Sequence, residues 1–174
     1  MTVIVGMVDN GKVYIGGDRA ASDGSAIISL HTPKVHIRDE WIFGYAGSLG
    51  VGQILQIITI PILNDKEDLF FALRVDLVDA FKSMLDIQGI SIDGTNDTDI
   101  LIGIRGRLFE LSPVDWSVAE VLETAIGSGG DFALGSLHTT KEFPATPEFR
   151  IEYALNAAIA YSPNCQGPID ILSV

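Results

Sequence analysis

The first residue that could do chemistry is the second in the chain. Thr2 is a small penultimate residue, so Met1 is expected to be removed. That would leave one residue carrying both a hydroxyl and a free α-amine. The hydroxyl alone is a weak nucleophile. An α-amine, with an ordinary pKa of about 7.7–8.0, is partly neutral near physiological pH and can take the hydroxyl proton. Such a site also needs a fixed cation to favour the alkoxide, a carboxylate to hold that cation, and N–H donors where negative charge develops. The carboxylate follows from spacing. Asp9-Asn10-Gly11 separates two β-branched runs, and Asn-Gly in that setting is a hairpin signal. Pairing Asp9 with Lys12 sets Val8 against Val13, Val3 against Asp18 and Thr2 against Arg19. Asp18 is therefore expected beside Thr2, with the Thr2 hydroxyl at an accessible site. Spacing alone does not place the cation.

The elements around these residues read in four blocks. The first is β-rich: Thr2 to Val8, Lys12 to Gly17, Ala26 to Leu30, Lys34 to Arg38 and Trp41 to Ala46. Two helices follow. Val51, Leu55 and Ile58 mark the first, which Pro61 should end. Phe70, Leu73, Leu77, Phe81 and Met84 form the apolar stripe of the second, from Glu67 to Ile87. Gly89 to Asp97 reads as a loop. A second β block holds Asp99 to Ile104 and Arg107 to Leu111 about an Arg105-Gly106 turn, then Val118 to Ala125 as one strand. Gly127 to Gly130 opens a short helix through Leu137. Glu148 to Tyr161 is a last helix, and Ile169 to Leu172 a terminal strand. Helices segregated from strands in this way argue for antiparallel sheets covered by helix pairs. They argue against a doubly wound parallel sheet.

Composition narrows the function. The chain has 174 residues, enough for one domain, 1–174, and too few for two ordinary ones. It is 47% hydrophobic and 20% charged, which supports a large core. Its net charge of −12 repels phosphate backbones and anionic membrane surfaces, so neither nucleic acid nor membrane is an expected partner. There is no secretory leader pattern and no apolar run long enough to span a bilayer. The single cysteine, Cys165, allows no intrachain disulfide and fits a reducing, cytoplasmic setting. Its ordinary reading is a small packed side chain. His31, His36 and His138 are scattered without metal-ligand spacing. The glycines at 127–130 lack the Lys-Ser/Thr ending of a phosphate-binding loop.

Five strings in order carry a resemblance: Thr2-Val-Ile-Val-Gly, Gly16-Gly17-Asp18-Arg19, Pro33-Lys34-Val35, Tyr45-Ala46-Gly47-Ser48 and Ala125-Ile126-Gly127-Ser128-Gly129-Gly130. Together they resemble the proteasome β-subunit series of N-terminal nucleophile (Ntn) hydrolases, and most of all the HslV peptidase subunits. The likeness runs from Thr2 to about Leu137. It implies an α+β fold, a four-layer αββα sandwich of antiparallel sheets. It implies that Thr2 is nucleophile and base, that Asp18 orients Lys34, and that Lys34 supplies the cation. The Gly47 N–H would be the oxyanion donor, and Ser128 would join the network around the α-amine. The implied activity is threonine-type peptide hydrolysis inside a homo-oligomeric ring, acting on peptides or unfolded proteins, with an ATP-dependent ring unfoldase as partner. No cofactor is required for that chemistry. The backbone carbonyls of Ser162, Cys165 and Pro168 would suit a monovalent cation such as Na+.

The chain departs from the family in one place. The loop from Tyr161 to Pro168 lacks the acidic residue expected near the nucleophile, and Asp170 comes too late, in the terminal strand. Ser162 or Asn164 are the candidate replacements. Two other readings stay open: an inactive ring-forming homologue, and a small-molecule amidase on the same fold.

Overall fold

Side chains in the central strands alternate between two cores, and that alternation builds the layers. Val3, Val5 and Met7 point one way and Ile4 the other, all at most 3% exposed. The same period of two runs through the second sheet: Trp41, Phe43 and Tyr45 face one core while Ile42 and Ala46 face another. Strands buried on both faces must be covered on both faces. The computed structural model describes residues 2–22, 26–63, 68–91 and 98–174. In it β1 (Ile4–Asp9), β2 (Lys12–Asp18), β10 (Glu123–Ile126) and β11 (Ile169–Ser173) form one antiparallel sheet in the order β10-β1-β2-β11. A second antiparallel sheet runs β5-β6-β7-β8-β9, from β5 (Val35–Arg38) and β6 (Trp41–Ala46) through β7 (Asp99–Ile104), β8 (Arg107–Ser112) and β9 (Ser117–Val121). β3 (Ala20–Ser22) and β4 (Ile27–Ser29) make a separate hairpin.

Three cores hold the layers. Ile4, Val13, Ile15, Ile42, Leu101 and Leu108 fill the space between the sheets. Helices α4 (Gly130–Thr140) and α5 (Pro147–Tyr161) cover the first sheet through Leu137, Ile151, Ala154 and Leu155. Helix α1 (Leu49–Ile54) and the helical run from Leu69 to Ile87 cover the second through Val51, Leu73, Leu77 and Phe81. The result is the expected αββα sandwich. The sheets approach closely because Gly103 has no side chain there: a Cβ on it would lie 2.5 Å from both Ile42 and Val13.

Several elements differ from the sequence reading. Val118 to Ala125 is not one strand. β9 ends at Val121 in one sheet and β10 begins at Glu123 in the other, with the exposed Leu122 between them. The chain changes sheet there, and the Val8 N–H takes the Leu122 carbonyl at 2.8 Å. The first helix stops at Ile54, well before Pro61. Val51, Leu55 and Ile58 are buried as expected, but the last two lie in turns. Arg38 replaces the missing helical bonds by donating to the Leu55 and Ile58 carbonyls at 3.0 and 2.9 Å.

The second helix begins as α2 (Leu69–Phe71), capped by the Asp68 carboxylate, widens into a π-helical stretch (Ala72–Leu77), and continues as α3 (Val78–Ile87). Glu67 lies outside the described residues. The stripe is Leu69, Leu73, Leu77, Phe81 and Leu85; Phe70 is exposed and Met84 only half-buried. A strict spacing of four drifts off the face of a 3.6-residue helix. The wider π turns hold it in phase. α4 runs past Leu137 to Thr140, where Arg150 takes the Leu137 carbonyl at 2.9 Å. α5 starts as the sequence signals, with Thr146 as cap and Pro147 in the first turn.

Candidate active site

The site begins with the hairpin. Asn10 and Gly11 both have positive φ, 47° and 75°, as a two-residue I′ turn requires. The register runs from Asp9 opposite Lys12 to Ile4 opposite Gly17. One step further, the Asp18 N–H donates to the Val3 carbonyl at 3.2 Å. Asp18 therefore lies beside Thr2, as the turn spacing predicts.

Lys34 arrives from the start of β5, in the other sheet, and completes the cluster. The Thr2 hydroxyl donates to Asp18 Oδ1 and accepts from Lys34 Nζ. Lys34 Nζ also donates to the Ala20 carbonyl and lies 3.2 Å from Asp18 Oδ1. The second Asp18 oxygen accepts the Gln166 N–H at 3.2 Å, and Oδ1 takes the Val3 N–H at 3.2 Å. A buried ion pair is tolerable only when its remaining lone pairs and protons are satisfied, and these are. Burial pushes the Lys34 ammonium below the usual lysine range, and the charge of Asp18 opposes that shift without cancelling it. The hydroxyl is not accessible, contrary to expectation. Thr2 is 1% exposed, Asp18 0% and Lys34 3%.

The glycine string packs against the Thr2 backbone. The Gly129 N–H donates to the Thr2 carbonyl at 3.2 Å, and the Ser128 hydroxyl approaches the same oxygen at 3.5 Å, a long contact. Gly127 has φ +85°, and a Cβ there would sit 2.4 Å from the Thr2 carbonyl. Only glycine fits this turn. Gly47, at φ +118°, is exposed and lines a cleft of about 380 Å³ together with Ala20, Ser22, Lys34 and Ser48. Ser48 caps α1 just beyond it, and its own N–H is held by Thr98 at 3.0 Å.

Thr2, Asp18 and Lys34 are thus in direct contact. Ser128 sits at the Thr2 carbonyl, and Gly47 shares the cleft with Lys34. Asp170 lies in β11, as expected, and its carboxylate is held by Arg19. Ser162 is buried; its hydroxyl accepts the Asn164 N–H at 3.4 Å and its carbonyl the Cys165 N–H at 3.3 Å. Cys165 is a packing residue: its sulfur lies 2.6 Å from where a Cβ on Gly129 would be, and burial pushes its thiol pKa up. Among the described residues no group of three or more His, Cys, Asp or Glu is placed to hold a metal. Among them, too, no helix is long and apolar enough to cross a membrane. Sequence reasoning misses the Ala20 carbonyl and the Gln166 and Gly129 amides. These are backbone groups, and a backbone contact leaves no signature in residue type.

No protein-family model matches the chain. It is 30% identical over 148 residues to a proteasome subunit beta of a Parafrankia species, which covers 78% of this chain and 53% of that protein. It is 28% identical over 138 residues to the ATP-dependent protease subunit HslV of a Sulfurihydrogenibium species, covering 76% and 72%. The chain spans only 53% to 60% of the length of the proteasome β subunits it matches. Among solved structures it superposes on Thiobacillus denitrificans BPH in complex with epoxomicin with a TM-score of 0.83, at 18% identity over 99% of this chain and 98% of that one. HslV of Trypanosoma brucei gives 0.72 at 16% identity, again over 99% and 98%. Anbu of Yersinia bercovieri gives 0.73 at 15% identity, over 99% and 81%. The fold is the proteasome-like Ntn hydrolase fold, and the resemblance read from the five strings holds.

Proposed function

We propose, from the premise of a proteasome-like fold and sequence kinship with proteasome β subunits and HslV, that this chain is a threonine-type peptidase subunit acting through Thr2 once Met1 is removed. The observation that carries the reading is the Thr2 hydroxyl held between a buried carboxylate and a buried ammonium. The freed Thr2 amine takes the hydroxyl proton. Lys34, fixed by Asp18 and the Ala20 carbonyl, stabilises the alkoxide and keeps the neighbouring amine neutral. Thr2 Oγ1, bonded to the cleft-lining Lys34, must become reachable on processing; it then attacks a peptide carbonyl in the cleft, and the oxyanion forms at the Gly47 N–H. The ammonium of Thr2 returns its proton to the leaving amine. Water, deprotonated by the same amine, then hydrolyses the ester.

The HslV and β-subunit kinship supports a homo-oligomeric ring, a ring ATPase as unfolding partner, peptides or unfolded proteins as substrates, and a cytoplasmic location. A monovalent cation on the carbonyls of Ser162, Cys165 and Pro168 would brace the loop whose Gln166 N–H holds Asp18. A second reading, an inactive ring-former, is favoured by the burial of Thr2, which is 1% exposed. Peptide turnover separates the two. The proposal expects hydrolysis of a fluorogenic peptide by the assembled protein and its loss in Thr2→Ala. Equal rates in both would refute Thr2 as nucleophile, and no turnover in either would favour the ring-former.

A further inference from the structure

Arg19 lies between the two residues that hold Lys34, the Asp18 carboxylate and the Ala20 carbonyl. Its guanidinium donates from Nε and Nη2 to the two oxygens of Asp170 at 2.7 and 2.6 Å, a bidentate pair. Its Nη1 donates to the His31 carbonyl at 2.6 Å, and its own carbonyl accepts the Leu30 N–H at 2.8 Å. One side chain therefore ties together the end of β2, the start of β11 and the segment leading to Lys34. β11 follows the loop that supplies the Gln166 N–H to Asp18, and Ile169 stands opposite Asp18 in the ladder. Asp170, two residues past the 161–168 loop, thus grips the chain neighbour of Asp18. The Arg19 and Asp170 side chains are 22% and 19% exposed, so solvent screens the pair only in part.

We propose that Arg19 and Asp170 are positioning residues for the Thr2 site. Their pairing fixes the distance between Lys34 and Asp18, and keeps the Gln166 amide on Asp18. The inference rests on the peptidase reading above. A rigid tie is worth having here because a displacement of about 1 Å in a catalytic group costs on the order of 100-fold in rate.

The test is a double-mutant cycle on the assembled protein, with active sites counted by epoxyketone labelling. Arg19→Gln and Asp170→Asn should each lower kcat per labelled site by about 10- to 100-fold, with KM within about 2-fold of wild type. The double variant should lose no more than either single one, because both remove the same tie. Arg19→Lys, which keeps the charge without the fork, should fall between. Amide exchange at Gln166 should quicken in both single variants. Additive losses would overturn the inference, as would variants with wild-type kcat and faster unfolding only. Either result leaves the Thr2 reading standing if wild type labels and turns over. A wild type that neither labels nor turns over would overturn both.

Discussion

Lys34 carries the electrostatics of the site, and its two roles conflict. In the proposed mechanism it must stay charged to stabilise an alkoxide, yet it is 3% exposed, and burial lowers its pKa more than Asp18 restores it. The alkaline limb of kcat/KM, where Lys34 loses its proton, should therefore fall below the pH near 10.5 at which an ordinary lysine titrates. The same shift acts on stability. The unfolded chain binds this proton more tightly than the folded one, so this group's contribution rises with pH between the folded pKa and 10.5. A pH–rate profile from pH 7 to about 11 checks the first statement. Lys34→Ala should abolish turnover and also destabilise the fold, by about 3–5 kcal/mol, because it strands the Asp18 carboxylate at 0% exposure. Thr2→Ala should abolish turnover at a cost of only about 1 kcal/mol, since Lys34 and Asp18 keep each other. Urea denaturation of the two variants distinguishes these costs.

At the scale of elements, the β1–β2 hairpin and the glycine string decide where Thr2 sits. Gly127→Ala forces a side chain into a left-handed conformation and against the Thr2 carbonyl at 2.4 Å. It should lower epoxyketone labelling by at least about 10-fold, whereas Gly11→Ala, at the open end of the hairpin where a Cβ meets nothing within 4 Å, should leave labelling unchanged and cost only stability. Labelling rates measured on both variants test that contrast. This scale also marks what the sequence discloses. The hairpin register is legible because Asn10-Gly11 is a local signal whose geometry propagates along the ladder to Asp18. Lys34 is not legible from spacing, because it reaches Thr2 from the other sheet, through packing that no local period encodes. The switch of sheets at Leu122 is hidden because Ser117–Val121 and Glu123–Ile126 have the same strand character. The stripe from Leu69 to Leu85 is misread by one position at each end, Phe70 for Leu69 and Met84 for Leu85, because a spacing of four fits no regular α-helix.

At the scale of the whole molecule, the αββα layering is legible from the segregation of helices and strands together with the five ordered strings. Assembly is not, because it depends on surfaces rather than on a core. If the chain forms a ring, native mass spectrometry should find a discrete, symmetric multiple of 18.7 kDa. Each subunit carries a net charge of −12, so the ring should weaken at low ionic strength, where self-repulsion is least screened. A monomer at all salt concentrations would contradict the ring.

The most direct test of the central claim is the intact mass of the purified protein before and after an epoxyketone. An active Thr2 requires a chain lacking Met1 that gains one adduct per subunit, with no adduct on Thr2→Ala. A chain that has lost Met1 and takes no adduct, or one that labels equally well in Thr2→Ala, would contradict it.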